Sequence, residues 1–116
     1  MQQTVVSVNG IGAGVSNVDD NLVPLITELQ GNYPNPFNPE TAISYAVKED
    51  GAVNLKIYNL KGQLVKNLVN EQVKAGYHSI VWNGKDNFGT DVATGIYLYR
   101  LETKTYNQTK KMMLMK

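Results

Sequence analysis

Apolar and polar residues alternate with a period of two in several short segments of the chain, and turn-forming residues separate these segments. In Thr41–Val47, Ile43 and Tyr45 share one parity with Val47, whereas smaller residues occupy the other. The same alternation recurs at Val53, Leu55 and Ile57, at His78, Ile80 and Trp82, and at Tyr97, Tyr99 and Leu101. Because successive side chains of a strand point to opposite faces, the pattern predicts strands with one buried face each. We predict that the core is centred on Ile43, Tyr45, Val53, Leu55, Ile57, Ile80, Trp82, Tyr97, Tyr99 and Leu101.

Two further segments are predicted to be strands although their alternation is less regular. In Gln63–Val69 the leucines fall on one parity and the valines on the other, which is typical of a strand that is buried on both faces or that switches sheets. In Lys110–Lys116 apolar residues fall on both parities, so the pattern does not identify the buried face. The turn-forming residues Lys48–Gly51 predict a hairpin between the first two strands of the regular set.

These elements predict an all-β protein, since no stretch keeps apolar residues at helical spacing without a glycine or proline. Six or seven short strands favour an antiparallel β-sandwich of about seven strands, with a small barrel as the alternative. The 116 residues are enough for one domain. We place that domain at residues 31–116 and predict residues 1–30 to be a linker or the tail of an upstream domain. Within that linker, Val23–Leu29 can still lie along the domain as an edge segment.

The segment Asn32–Pro39 stands apart because it contains three of the four prolines of the chain. Prolines fix φ and push the preceding residues into extended conformations, so this segment is neither a helix nor a central strand. Tyr33 and Phe37 give it apolar anchors, which favours packing onto the domain over free flexibility. A rigid spacer between domains is the plainer interpretation.

Charge is distributed unevenly along the chain. The net charge of +1 gives no reason to expect a nucleic acid or an anionic membrane as partner. Residues 1–50 hold six acidic residues and one lysine, whereas residues 51–116 hold ten basic residues and four acidic ones. After Glu102 every charged side chain is a lysine, so the C-terminal end is basic. Such lysines either guard an edge strand or take part in recognition.

Cysteine content and hydropathy limit how the fold can be stabilised and which targeting segments the sequence can contain. The chain has no cysteine, so neither a disulfide framework nor a thiolate metal site holds the fold together. No apolar run approaches the ~18 residues of a membrane span, and the opening residues do not form a signal peptide. If the protein is exported, we expect its signal peptide upstream of this sequence.

We expect no catalytic site and no cofactor. His78 is the sole histidine, and without a cysteine or a second histidine it lacks the partners of a metal site or a catalytic pair. Ser79 follows it directly and therefore faces the opposite side of the strand. A polar loop places Asp86, Asn87 and Asp91 close together as weak calcium candidates. Because the spacing of a calcium loop and its distal glutamate are missing, Asx turns explain the same residues more simply.

Aromatic residues raise an alternative function. Seven tyrosines, two phenylalanines and one tryptophan could form a stacking surface for sugar rings, as in carbohydrate-binding modules. Tyr45, Trp82, Tyr97 and Tyr99 alternate like core residues, so we expect burial for most of the rings. A purely structural accessory module of a secreted enzyme is a further alternative. Three or more coplanar exposed rings would favour sugar binding.

A set of motifs in a fixed order resembles the type A C-terminal sorting domain of type IX secretion substrates. The motifs are Asn32-Tyr33-Pro34-Asn35-Pro36-Phe37-Asn38-Pro39, Leu55-Lys56-Ile57-Tyr58-Asn59 with Gly62, Gly76-Tyr77-His78-Ser79 leading to Trp82-Asn83-Gly84, Gly89, Gly95-Ile96-Tyr97, and Lys110-Lys111-Met112 with Lys116. The resemblance spans about residues 31–116. Its middle part, from Leu55 to Tyr97, is also similar to the immunoglobulin-like domain of flagellar hook-capping proteins. The proline segment and the basic last strand therefore carry the distinction between the two families.

The resemblance to sorting domains implies an immunoglobulin-like sandwich that catalyses nothing and delivers a cargo. Such a domain ends a larger exported protein, passes through the periplasm and crosses the outer membrane to the cell surface or the medium. Its implied partners are the type IX secretion machinery, a sortase-like peptidase and an upstream cargo domain. The implied recognition residues are Pro34, Asn35, Pro36, Gly95, Lys110, Lys111 and Lys116. We expect cleavage in the linker before Asn32, where small and polar residues leave the chain accessible.

Overall fold

Two antiparallel β-sheets form the protein, whose structure is a computed structural model that describes residues 23–116. The strands are β1 (Glu28–Tyr33), β2 (Thr41–Val47), β3 (Gly51–Tyr58), β4 (Leu64–Val73), β5 (Gly76–Trp82), β6 (Gly95–Glu102) and β7 (Asn107–Leu114). Residues 23–116 contain no helix, and thus none that is long and apolar enough to span a bilayer. Of the predicted linker, residues 1–22 lie outside the described residues, and residues 28–30 already belong to β1.

The two sheets have different sizes. One contains three strands in the order β1-β2-β5, and the other contains four in the order β4-β3-β6-β7. Every pair of neighbouring strands is antiparallel. The predicted all-β antiparallel sandwich of about seven strands is therefore confirmed. The last strand, β7, lies at the edge of the larger sheet and pairs with β6 alone among the named strands.

The predicted hairpin between β2 and β3 is wrong, because these strands belong to different sheets. Ile43 of β2 pairs with Ile80 of β5, whereas β3 pairs with β4 and β6. The connection between β2 and β3 is fastened to other segments: the Lys48 N–H donates to Thr27 Oγ1 at 3.0 Å, and Asp50 Oδ1 accepts from the Ala75 N–H at 2.8 Å. A period of two identifies the buried face of a strand, but it does not identify the strand's partner.

The irregular pattern of the fourth strand comes from breaks in register. Neither predicted explanation is right, because β4 stays in one sheet and has only Val69 fully buried. Its pairing with β3 shifts at two points, between Leu55 and Lys56 and between Ile57 and Tyr58. Each shift adds one unpaired residue to β4, so the inward-facing positions change between odd-numbered and even-numbered residues. Leucines and valines of both parities therefore contact the core.

The core lies between the sheets and is centred on Trp82, which is fully buried. Its ring centroid lies 5.7 Å from that of Phe37 and 5.5 Å from that of Tyr97, and its Nε1 donates to the Lys85 carbonyl at 2.9 Å. Of the predicted core, Ile80 alone is only half-buried. The buried apolar residues outside the prediction are Leu29, Phe37, Ala46, Val47, Val69, Met112 and Leu114.

His78 packs within the fold, as the absence of partner ligands in the sequence predicts. Its ring stacks on Tyr45 with a centroid distance of 5.3 Å and an interplanar angle of 25°. Its Nε2 donates to the Lys74 carbonyl at 2.7 Å. Both ring contacts are with residues of the sandwich itself, so they account for a histidine at this position.

Buried tyrosines make the fold sensitive to alkaline pH. Burial raises the pKa of Tyr99 to about 12 and also raises the pKa values of Tyr45 and Tyr97. Between about pH 10 and about pH 12 the unfolded chain releases phenol protons that the folded chain retains, so the free energy of unfolding falls as the pH rises. Urea unfolding across this range should show that loss. The slope should be shallower in Tyr99→Phe, and an identical slope in that variant would contradict the assignment.

Candidate functional site

The proline segment and the last strand meet at one edge of the sandwich. The Phe37 N–H donates to the Met113 carbonyl at 2.9 Å, and the Met115 N–H donates to the Phe37 carbonyl at 2.9 Å. The Met113 N–H donates to Asn35 Oδ1 at 3.0 Å. Phe37 runs parallel to β7 at Leu114. We call Pro34–Phe37 together with β7 and Met115 the terminal edge.

The proline segment is anchored by one of its two aromatic residues. The Phe37 side chain is 2% exposed and packs on Trp82, whereas the Tyr33 side chain is 82% exposed. The prediction of two anchors is therefore confirmed for Phe37 and wrong for Tyr33. Tyr33 still belongs to β1 and pairs with Ala42, which places its ring on the outer face of the smaller sheet. Of the two aromatic rings, Phe37 alone packs into the core.

A chain of hydrogen bonds holds Pro34 in place. Tyr99 Oη donates to Asn32 Oδ1 at 2.9 Å, and Asn32 Nδ2 donates to Thr41 Oγ1 at 3.1 Å. Thr41 Oγ1 in turn donates to the Pro34 carbonyl at 2.8 Å. Thr41 is buried, so these bonds satisfy a hydroxyl that would otherwise destabilise the core. This network was not predicted from the sequence, although Thr41, a polar residue at an inward-facing position of β2, is a visible sign of it.

Glycines bring the neighbouring backbone close to the terminal edge. Gly95 pairs with Leu114 and has a φ of +153°, which residues with a Cβ rarely adopt. Gly84 has a φ of +77°, and a Cβ there would lie 3.2 Å from the Pro39 carbonyl oxygen and 3.8 Å from Leu114 Cδ2. The resemblance implies a role for Gly95. Gly84 appears in the resemblance only as part of a motif, yet it is the glycine at which an added Cβ would crowd the Pro39 carbonyl oxygen at the end of the proline segment.

We predict that Gly95→Ala lowers the free energy of unfolding by ~1–3 kcal/mol through backbone strain. No atom lies within 4 Å of the added Cβ, so any loss of stability comes from the strained φ and not from steric crowding. Gly51→Ala is the matched control, because Gly51 also has open space around its Cβ but no positive φ. Equal stability of the two variants in urea unfolding would show that the Gly95 conformation does not matter.

The structure brings two of the three implied lysines to the terminal edge. Lys110 is half-buried and pairs with Tyr99, whereas Lys111 is exposed and pairs with Leu98. Both lysines line a shallow groove of about 510 Å³ between β1 and β7, together with Asn35. Lys116 lies beyond the end of β7 and is not among the residues that line this groove. Asn35 and the two lysines therefore share one surface, and Lys116 stands apart from it.

The calcium candidates are engaged in hydrogen bonds within the domain. Asp86 Oδ1 accepts from the N–H groups of Phe88 and Thr90 at 2.9 and 3.0 Å, which is an Asx-type turn. Asn87 Oδ1 accepts from the backbone of β4 at 3.0 Å. A hydrogen bond of 2.8 Å from Lys85 Nζ, with its positive charge, holds the pKa of Asp91 below its usual value. Across residues 23–116 no three His, Cys, Asp or Glu side chains gather around a common point.

The exposed aromatic rings are spread over several elements. Tyr33 lies on β1, Tyr77 on β5 and Phe88 in the loop that follows β5. Register places Tyr33 opposite Ala42 and Tyr77 opposite Ala46, so the two tyrosines flank different ends of β2. This arrangement differs from a row of rings along one strand.

Solved structures share this fold at low sequence identity. Dimeric latent PorU from Porphyromonas gingivalis matches with a TM-score of 0.63 and 22% identity, over 84% of this chain and 10% of PorU. PorZ from the same organism, an essential surface component of the type IX secretion system, matches with a TM-score of 0.51 and 20% identity, over 73% of this chain and 11% of PorZ. The chain thus spans about a tenth of either protein.

The flagellar proteins form the other group of relatives. FlgD from Xanthomonas campestris, a protein of flagellar hook capping, matches with a TM-score of 0.53 and 24% identity, over 76% of this chain and 64% of FlgD. A search of curated proteins found no match. The family model of the FlgD Ig-like domain matches residues 38–107, which is more than half of the chain. The chain therefore belongs to the FlgD Ig-like domain family.

Proposed function

We propose that this domain is a non-catalytic sorting module that directs a larger cargo protein through the type IX secretion system. The observation that carries the proposal is the terminal edge. Pro34–Pro36 and the basic last strand are the parts of the resemblance that distinguish sorting domains from hook-capping domains. They lie far apart in the sequence, yet they are joined by backbone and side-chain hydrogen bonds. A bipartite signal that is assembled only by folding suits a domain that is recognised in the folded state.

The extent of the family match supports this interpretation. The match to the FlgD Ig-like domain covers residues 38–107, and β7 runs from Asn107 to Leu114. Nearly all of the terminal edge therefore lies outside the segment that the family model matches, although the structural match to FlgD from Xanthomonas campestris extends over 76% of the chain. PorZ, a surface component of the type IX secretion system, shows that this sandwich occurs within that system. The shared fold supplies the scaffold, and the terminal edge supplies the specific surface.

The proposed secretion route implies the partners of the domain and its cellular location. The domain passes through the periplasm in transit, is recognised by the secretion machinery and reaches the cell surface or the medium with its cargo. A sortase-like peptidase then removes it by cutting the linker ahead of β1, which begins at Glu28. The domain needs no reactive group for this role. Its contribution is a rigid surface with backbone groups and positive charge, which favours recognition by strand pairing and charge complementarity.

The lysines provide the test of this proposal. We predict that replacing Lys110, Lys111 and Lys116 by Gln changes the free energy of unfolding by no more than ~0.5 kcal/mol per site. Surface delivery of a passive reporter fused to the domain should fall sharply in a host with the type IX machinery, because the partner loses its electrostatic complement. Gln at Lys48, Lys61 and Lys74, which are exposed outside the terminal edge, is the matched control.

The triple variants separate specific recognition from net charge. Both remove three positive charges, but only one changes the terminal edge. If the terminal variant folds and is delivered as well as the control, the lysines only protect an edge strand. The sorting determinant would then lie around Pro34–Pro36.

A second candidate is a structural accessory module, which the match to the FlgD Ig-like domain favours. In that case the domain would hold neighbouring domains apart and have no part in delivery. A carbohydrate-binding role has less support, because Trp82, Tyr97 and Tyr99 are buried and the exposed rings lie on different elements. The reporter experiment distinguishes these roles, since neither alternative requires the terminal lysines for delivery.

A further inference from the structure

The backbone of β7 presents a line of outward hydrogen-bonding groups along its free edge. The N–H and carbonyl groups of Met113 point away from β6, because they bond to Asn35 and Phe37. In an antiparallel strand this orientation alternates from residue to residue. Met113 pairs with Ile96, so the next outward positions are Lys111, opposite Leu98, and Thr109, opposite Arg100. One row of donors and acceptors therefore runs from Thr109 to Met115.

Within residues 23–116, only one half of this row is covered. The proline segment bonds to Met113 and Met115 and ends its contact at Asn35. The outward backbone groups of Thr109 and Lys111 bond to no residue between 23 and 116. Beside them lies the groove lined by Gly31, Asn32 and Asn35. The edge therefore has an occupied half and an open half, and the occupied half shows that an extended segment fits against it.

Charge indicates what the open half can bind. Lys110 and Lys111 are neighbours on a strand, so their side chains leave it on opposite faces, and both residues line the groove. Strand β7 contains no acidic residue. An extended segment with adjacent acidic residues would place one carboxylate near each lysine. A second copy of this chain would instead bring lysines toward lysines and meet the proline segment at Met113.

We infer that the open half of the terminal edge, Thr109 to Lys111, binds an extended acidic segment of a partner protein by β-strand addition. This inference rests on the proposed function and deepens it by naming the surface and the chemistry of the partner. Backbone hydrogen bonds from Thr109 and Lys111 hold the segment. The two lysines select adjacent carboxylates.

Amide hydrogen exchange of the full chain tests the inference. The probes are the peptide acetyl-Val-Thr-Glu-Glu-Thr-Val-amide and its analogue in which both glutamates are glutamine. In the free protein, Lys110 and Met112 amides should be protected by β6 and the Met113 amide by Asn35, whereas Thr109 and Lys111 amides exchange rapidly. The acidic peptide should protect Thr109 and Lys111 selectively. It should bind about tenfold more tightly than the glutamine peptide, and salt should reduce the difference.

Two variants test the backbone hydrogen bonds and the lysine charges separately. Thr109→Pro removes an outward N–H and keeps both lysines, and an edge strand tolerates proline at such a position. Lys110→Gln with Lys111→Gln keeps every donor and removes the charge. The proline variant should lose binding of both peptides, whereas the double glutamine variant should bind both equally. If the proline variant does not fold, as judged from the Met112 amide, the double glutamine variant still decides the charge requirement.

Three results would overturn the inference. The acidic peptide could leave the Thr109 and Lys111 amides unprotected, or the two peptides could bind equally to the parent chain. Protection of the same amides could also rise with protein concentration alone, which would make a second copy the occupant. These results leave the proposed function open to its own test, because reporter delivery is measured without the peptide. Conversely, failed delivery with intact peptide binding would contradict only the sorting role.

Discussion

Trp82→Ala is expected to lower the free energy of unfolding by ~3–5 kcal/mol, the range for deleting a large buried aromatic side chain. Trp82 is fully buried between Phe37 and Tyr97, and its Nε1 bonds to the Lys85 carbonyl. The substitution therefore leaves a cavity, an unpaired carbonyl and a proline segment without its main contact. Domains of this size are stable by ~5–15 kcal/mol, so the variant should be close to unfolding at moderate temperature. Urea unfolding followed by circular dichroism measures the change.

Tyr77→Ala provides the control for this prediction. Tyr77 lies on the same strand, but its side chain is 58% exposed on the outer face. A loss of no more than ~0.5 kcal/mol is expected there. If the two alanine variants were equally stable, the inward phase of β5 would be wrong, and with it the contact that anchors the proline segment.

Deletion of Met112–Lys116 should unfold the domain. The segment contains Met112 and Leu114, which are 2% and 0% exposed, and loss of either side chain alone costs ~2–5 kcal/mol. The deletion also removes the hydrogen bonds between Phe37 and the last strand and exposes the buried face of β6. These losses together approach the whole stability of a small domain. A loss of the cooperative thermal transition would be the expected result.

Removal of Met115 and Lys116 alone is the control. Both side chains are exposed, and the deletion breaks one hydrogen bond, from the Met115 N–H to the Phe37 carbonyl. Such a bond contributes ~1 kcal/mol, so this shorter chain should remain folded. If the chain that lacks Met112–Lys116 kept a cooperative thermal transition at the same temperature as the parent protein, β7 would be a detachable tail. It would then not be a structural part of the sandwich.

Local patterning was enough to predict six of the seven strands and most of their buried faces, whereas β1 was predicted only in part, as an edge segment at Val23–Leu29. Ile43 and Tyr45 point inward as the period of two requires, and Tyr99 and Leu101 do the same. Alternation did not reveal that β2 and β3 separate into different sheets, because the partner of a strand depends on contacts remote in sequence. It also failed in β4, where register shifts mix the parities.

The last strand shows why the buried face of β7 and its contact with the proline segment were not predicted from the sequence. Met112 and Leu114 are buried, whereas Met113 and Met115 are 38% and 49% exposed. All are apolar, so the sequence does not separate the two faces. The resemblance suggested that both ends of the domain take part in recognition. It did not indicate their contact, since Asn35 and Met113 are separated by 78 positions in the chain.

The most direct test of the sorting role compares delivery of one reporter in two hosts. The reporter fused to residues 1–116 is expressed in a host with the type IX machinery and in an otherwise identical host that lacks it, and surface exposure is measured by protease accessibility on intact cells. We expect the fusion at the surface only when both the domain and the machinery are present, and the bare reporter retained in both hosts. Equal exposure of the fusion in the two hosts, or its retention in both, would contradict the account.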